Sequence, residues 1–281
     1  MIRMRKMREI KKLFILAIAI VASSVAFAQE FTPTYYESSD SDLQGRFKVA
    51  LDIPISQKVK LSLGEQLRTK DSFRSLDKFL TSLSVAYTPW KFLEVGTEYA
   101  LENEWIGEMH GGPKKKWETK HRWNIDITEK LTAGRFELSL RERVRMVFSS
   151  DETNKYVEPN PFTTLRTRLK AAYKNPSRWK PYTYVEVYTT LNAPKRVENC
   201  LRDPLERDNY INRVRIVLGS ELKITNKQKM DIHYMLNLNR TRKAAYFSQG
   251  HNNAYEVGDL NSWSLKKVAA HVICVDYKFS L

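Results

Sequence analysis

The chain has 281 residues, 47 Lys and Arg against 32 Asp and Glu, a formal net charge of +15 and a mean hydropathy of -0.50. That hydropathy excludes a helical membrane protein but not a β-barrel, in which half of each strand and every loop are polar. The basic surplus does not point to nucleic acid, because the Arg and Lys residues alternate with apolar ones instead of clustering in an arm or recognition helix.

Residues 1–28 read as a secretory signal peptide. Arg3, Arg5, Lys6, Arg8, Lys11 and Lys12 form a basic head, residues 13–22 an apolar segment, and Ala26-Phe27-Ala28 a cleavage site ahead of Gln29. The apolar run falls short of the roughly 20 residues that a spanning helix needs. Removing it takes away six basic residues and Glu9, which lowers the net charge by five to +10. Residues 29–281 then form one domain, and any membrane insertion must use strands.

From there the sequence alternates apolar and polar residues in eleven segments: 47–53, 59–67, 79–87, 93–101, 117–127, 136–148, 165–173, 183–187, 210–218, 230–238 and 273–281. The stretch RFELSLRERVRMVF, residues 135–148, is the clearest. Its length exceeds the five or six residues of an ordinary strand and suits the roughly nine to eleven of a tilted strand crossing a bilayer. Short turns follow the first, third, fifth, seventh and ninth segments, at 54–57, 88–91, 128–134, 175–177 and 225–227. Longer polar connections at 102–116, 149–160, 192–209 and 240–261 lie on the other side. The pattern predicts an all-β, antiparallel, up-and-down transmembrane β-barrel with periplasmic turns and external loops. Eleven strands would close in parallel, so a twelfth is expected from Phe31, Tyr35, Tyr36 and neighbours up to Asp42, with ten strands as the fallback.

Arg or Lys facing mid-bilayer costs roughly 2–4 kcal/mol each. The charged face is therefore expected inward: Lys78, Glu94, Glu98, Lys120, Arg122, Asp126, Arg141, Arg143, Arg145, Arg166, Arg168, Lys170, Glu186, Arg213, Arg215, Glu221 and Asp231. Glu186 would sit between two strands that each bring two arginines, in a cross-strand network. Glu65 and Glu142 break the alternation, either near the outer interface or at a bulge. Tyr87, Trp90, Tyr99, Trp117, Trp123 and Tyr173 suit interfacial girdles.

The segments LSLGEQLR (61–68), SVAYTPWKFLEVGTEYAL (84–101), KHRWNIDI (120–127), RFELSLRERVR (135–145), TTLRTRLKAAYK (163–174), KPYTYVEVY (180–188) and NRVRIVLGSELKIT (212–225) resemble the domain-of-unknown-function 2490 family. The resemblance implies an outer-membrane β-barrel of a Gram-negative bacterium and brings no established activity. The loop at 192–209, with Cys200, departs from the family pattern.

Catalytic constellations are sparse. Asp231 and His233 share the inward face, so a carboxylate could orient an imidazole as a base, but no second acidic pair accompanies them. Of the other histidines, His110, His121, His251 and His271, none sits in a matching motif, and His251 with Asn252 and Asn253 reads as a loop tip. Glu102, Glu104 and Glu108 lack the spacing of a calcium loop, and no metal or cofactor is expected. The basic loop of Gly111, Gly112, Pro113 and Lys114–Lys116 is a candidate contact for lipopolysaccharide phosphates. Cys200 and Cys274 lie in a loop and a strand and are either paired or free.

The sequence thus supports a non-enzymatic, porin-like outer-membrane barrel, in contact with lipid and lipopolysaccharide, whose Arg-rich lumen favours small anionic solutes. The alternatives are a sealed structural barrel, an outer-membrane hydrolase using Asp231 and His233, and a soluble periplasmic β-sheet protein.

Overall fold

The computed structural model describes residues 37–107, 116–149, 159–194, 207–249 and 256–281. Residues 1–36, with Phe31, Tyr35 and Tyr36, and Glu108, His110, Lys114, Lys115, Cys200 and His251 lie outside the described residues.

Period-two alternation produces strands throughout: β1 (Glu37–Pro54), β2 (Val59–Lys70), β3 (Ser75–Trp90), β4 (Leu93–Gly107), β5 (Lys116–Ala133), β6 (Phe136–Ser149), β7 (Phe162–Tyr173), β8 (Trp179–Pro194), β9 (Arg207–Lys223), β10 (Gln228–Gln249) and β11 (Glu256–Ser280). Each pairs antiparallel with its sequence neighbour, and β1 pairs with β11 to close a barrel. The strands run past their predicted ends, most of all β10 and β11, which stay paired as far as Gln249 and Glu256.

The expected twelfth strand is absent among the described residues, and ten strands are too few. The barrel has eleven, and β1 and β11 run parallel. The physical reason lies in β1 itself. Residues 37–42, assigned in part to the extra strand, prolong β1, whose register with β11 is unbroken from Glu37 opposite Leu265 to Asp52 opposite Ser280. Both edges find a full set of hydrogen-bonding partners, so no intervening strand is needed to satisfy them.

The register also sets the barrel's dimensions. Successive paired residues lead once around the ring from Pro54 through Lys60, Ala86, Gly96, Asp126, Arg143, Arg166, Tyr188, Arg213, Asn239 and Val268, back to β1 at Asp40, fourteen residues before the start. With about 3.3 Å per residue and about 4.8 Å between strands, this stagger implies a tilt of roughly 40° and a backbone radius on the order of 11 Å. Long side chains from opposite walls can meet across such a bore.

The short turns gather at one end. Gly134 supplies a positive φ of 60° between β5 and β6. At the other end, the β2–β3 connection is equally tight: Asp71, Ser72 and Phe73 all have positive φ, of 54°, 57° and 67°. The Ser72 amide donates to the Leu43 carbonyl, and the Phe73 ring lies over Gly45, where a Cβ would sit 2.6 Å from the ring.

The burial pattern is inverted relative to a soluble protein. Phe47, Val49, Leu63, Leu83, Ile125, Ile127, Val185 and Leu218 face outward and are exposed, Val49 by 59%. Glu102, Arg122, Asp126, Arg166, Glu186 and Arg215 are buried.

Glu65 and Glu142 face outward opposite Thr81 and Thr167 with no register shift at either residue, the β2–β3 irregularity falling at Arg68 and Thr69, so no bulge re-aims them. Instead the Thr81 hydroxyl donates to Glu65 at 3.0 Å, and that of Thr167 to Glu142 at 2.7 Å. The aromatic residues predicted at strand ends also face outward: Tyr87, Trp90, Tyr99, Trp117 and Trp123 are exposed, and Tyr173 is half-buried against Phe136, with ring centroids 5.3 Å apart.

Candidate functional site

The inward faces enclose a cavity of about 550 Å³. Its lining holds fifteen Arg and Lys residues but only seven Asp and Glu. Glu94, Glu98, Arg122, Arg141, Arg143, Arg145, Arg166, Arg168, Arg213, Arg215 and Asp231 all line it. Glu186 lies just behind the lining, among the arginines, with 1% of its surface exposed.

Glu186 is the hub of the largest ionic network. Its carboxylate accepts from Arg141 Nη2 at 3.0 Å, from Arg166 Nη2 at 3.0 Å, from Arg215 Nη1 at 2.9 Å and from the Tyr188 hydroxyl at 2.7 Å. Four adjacent strands, β6 to β9, are thereby joined through one side chain. The register brings this about by placing Glu186 directly opposite Arg168 and Arg215. A second network spans β3 to β6. Arg122 donates to Glu98 at 3.1 Å and to Glu102 at 3.4 Å, Lys78 donates to Glu102 at 2.7 Å, and Arg143 donates to Asp126 at 2.7 Å. Nearer the turns, Lys130 pairs with Glu94 at 2.7 Å.

Sequence reasoning missed the inner face of β8. Tyr182, Tyr184 and Tyr188 are buried and share the parity of Glu186, the signal that could have revealed them. They form an aromatic ladder flanked by cations: Lys170 lies 3.9 Å from the Tyr182 ring centre, Arg168 5.1 Å from Tyr184, and Arg166 4.7 Å from Tyr188. From the β9 side, Arg213 and Arg215 each lie 5.0 Å from Tyr188. Such stacking partly replaces the hydration that buried guanidinium groups lose. Tyr182 and Tyr184 also pack with Val217, Met235, Ala270, Val272 and Cys274, so one sector of the inner wall is apolar.

Asp231 and His233 are brought together, the His233 Nδ1 lying 3.4 Å from Asp231 Oδ1. The contact lacks hydrogen-bond geometry, and that nitrogen is buried without a hydrogen-bond partner. Asp231 is held instead by the Tyr182 hydroxyl, at 2.8 and 3.0 Å. Gly219 makes this possible: a Cβ there would stand 2.8 Å from the Tyr182 ring and 2.5 Å from His233 Cβ. His233 faces Cys274 across the β10–β11 pair, and Cys274 is a free, buried thiol. His121 and His271 lie on the outer wall, each with Nδ1 2.6 Å from a tyrosine hydroxyl, of Tyr99 and Tyr234. Among the described residues no three His, Cys, Asp or Glu side chains cluster as metal ligands.

A search of curated proteins finds no match to this chain. Among solved structures, it is similar to OmpT (in-vitro folded), an outer membrane protein of Vibrio cholerae, at 13% identity and a TM-score of 0.35, over 74% of this chain and 57% of that one. The profile of DUF2490, described as a protein of unknown function, matches residues 44–247, which include the barrel from within β1 into β10 and most of the charged lumen. The chain belongs to the DUF2490 family.

Proposed function

We propose that this protein is a non-enzymatic β-barrel of the outer membrane of a Gram-negative bacterium, with a narrow lumen that favours small anionic solutes. The observation that carries the reading is the charge of the enclosed space, fifteen basic against seven acidic side chains around about 550 Å³. Low-dielectric walls concentrate that field and raise the local concentration of anions. Membrane placement draws on the outward apolar band and on the closed ring of backbone hydrogen bonds, the two conditions that hydrocarbon imposes on a spanning sheet. Residues 1–28 supply the export signal, and lipid and lipopolysaccharide are the surroundings this placement implies.

Asp231 takes two hydrogen-bond contacts from Tyr182, and the facing His233 nitrogen lacks the geometry to serve it, which favours a structural over a hydrolytic role for the pair. The Glu186 network favours a second reading, a barrel sealed by its own ion pairs. Purified protein in planar bilayers separates the two. The expected result is a small ion current whose reversal potential under a KCl gradient shows chloride preference. No current would establish the sealed barrel, and cation preference would remove the anion reading.

A further inference from the structure

The lumen's arginines divide into those with carboxylate partners and those without. Glu186 is shared by Arg141, Arg166 and Arg215, and Glu102 by Lys78 and Arg122. Arg46, Arg145, Arg168 and Arg213 also line the cavity, yet among the described residues none has a carboxylate within salt-bridge distance; Arg168 is the register partner of Glu186 and lies over the Tyr184 ring, which leaves Arg46, Arg145 and Arg213. The Nε of each is buried and makes no hydrogen bond, as is also true of Arg122, Arg141 and Arg166, so the missing carboxylate is what sets these three apart. Arg68, beside Arg46 in the β1–β2 register, donates among the described residues to the neutral Gln66 and to no carboxylate.

These groups converge from different strands. Arg46 comes from β1, Arg145 from β6 and Arg213 from β9, all three line the same cavity, and Arg213 lies 5.0 Å from the Tyr188 ring centre. Buried like charges held together without a counter-charge are costly, and the two nearby carboxylates are already taken. A multivalent oxyanion would supply the missing charge. Phosphate fits best, because its oxygens accept from several planar guanidinium forks at once, which a halide cannot do.

We infer that Arg46, Arg145 and Arg213, with Arg68 at the edge, form a phosphate-binding site inside the barrel, for inorganic phosphate or the phosphate group of a small solute. The inference rests on the proposed solute-accessible lumen and names the anion it selects.

The test is titration of inorganic phosphate, and in parallel a hexose monophosphate, into the full chain folded in detergent micelles. Wild-type protein should bind phosphate saturably, and phosphate should raise its thermal midpoint. Arg46→Gln with Arg213→Gln should weaken binding roughly tenfold or more, as expected for lost charge-assisted hydrogen bonds, and abolish the thermal shift. Arg145→Gln is the second variant, and Lys91→Gln, on a turn outside the cavity, should change neither readout. Tighter binding of the sugar phosphate would identify a solute, and equal or weaker binding the free ion. No phosphate binding by wild type, or equal binding by the double variant, overturns the site. A chloride-selective current without phosphate binding would leave the proposed function standing and remove this site. Phosphate binding without current would keep this site in a lumen that opens to solvent at one end and would remove the pore.

Discussion

At the scale of single residues, the lumen is organised by how few carboxylates serve how many cations. Glu186 is bound by three arginines, so its loss orphans all three, whereas loss of one arginine leaves Glu186 two partners. Glu186→Gln is therefore expected to cost about 3–5 kcal/mol, the range for breaking a buried pair, and Arg141→Gln clearly less. Urea unfolding in micelles measures both, and equal losses would contradict the hub role. Gly219 makes a different kind of contribution, as the floor beneath Tyr182. Gly219→Ala should cost about 1–3 kcal/mol by overpacking, and Tyr182→Phe in the same background should recover only part of it, because the added Cβ meets the Tyr182 hydroxyl at 2.8 Å but also the His233 Cβ at 2.5 Å.

At the scale of elements, the decisive contact is the parallel seam between β1 and β11. An up-and-down ring with an odd number of strands must contain one parallel pair, and here it extends over sixteen residue pairs. Phe47 and Val275 are register partners on it. With Cys200→Ser and Cys274→Ser as background, Phe47→Cys and Val275→Cys should oxidise to a disulfide that speeds migration on a denaturing gel. Phe47→Cys with Tyr277→Cys, two residues out of register, should crosslink far less. A twelfth strand between the two edges would separate the sulfurs beyond disulfide reach and abolish both products.

At the scale of the whole molecule, an inverted burial pattern has consequences that no single contact reveals. Val49 points outward and Ala50, beside it in sequence, points inward. Val49→Arg should cost about 2–4 kcal/mol when the barrel folds into lipid vesicles, if its depth is near the midplane, whereas Val49→Leu should be neutral. Folding yield by gel mobility of unheated samples reads the difference. Equal yields would mean that the outer band does not meet hydrocarbon. In cells the protein should sediment with the outer-membrane fraction and need detergent for release.

Alternation alone identified all eleven strands, because a pleated strand turns each residue's parity into a face. The same parity put Arg141, Arg143, Arg145, Arg166, Arg168, Arg213 and Arg215 together with Glu186, and in the folded chain they surround one cavity. The family was also legible in the order and spacing of those segments. Closure was not legible. Parity says which way a side chain points but not which strand its edge will meet, so the parallel seam, closed without a twelfth strand, emerged only from the register of β1 on β11. Tertiary structure likewise decided which arginines are neutralised, since a charge pair depends on neighbours brought together by the barrel's stagger and not by the chain. Sequence determined the two faces, and the closing of the ring determined which charges on the inner face were left without partners.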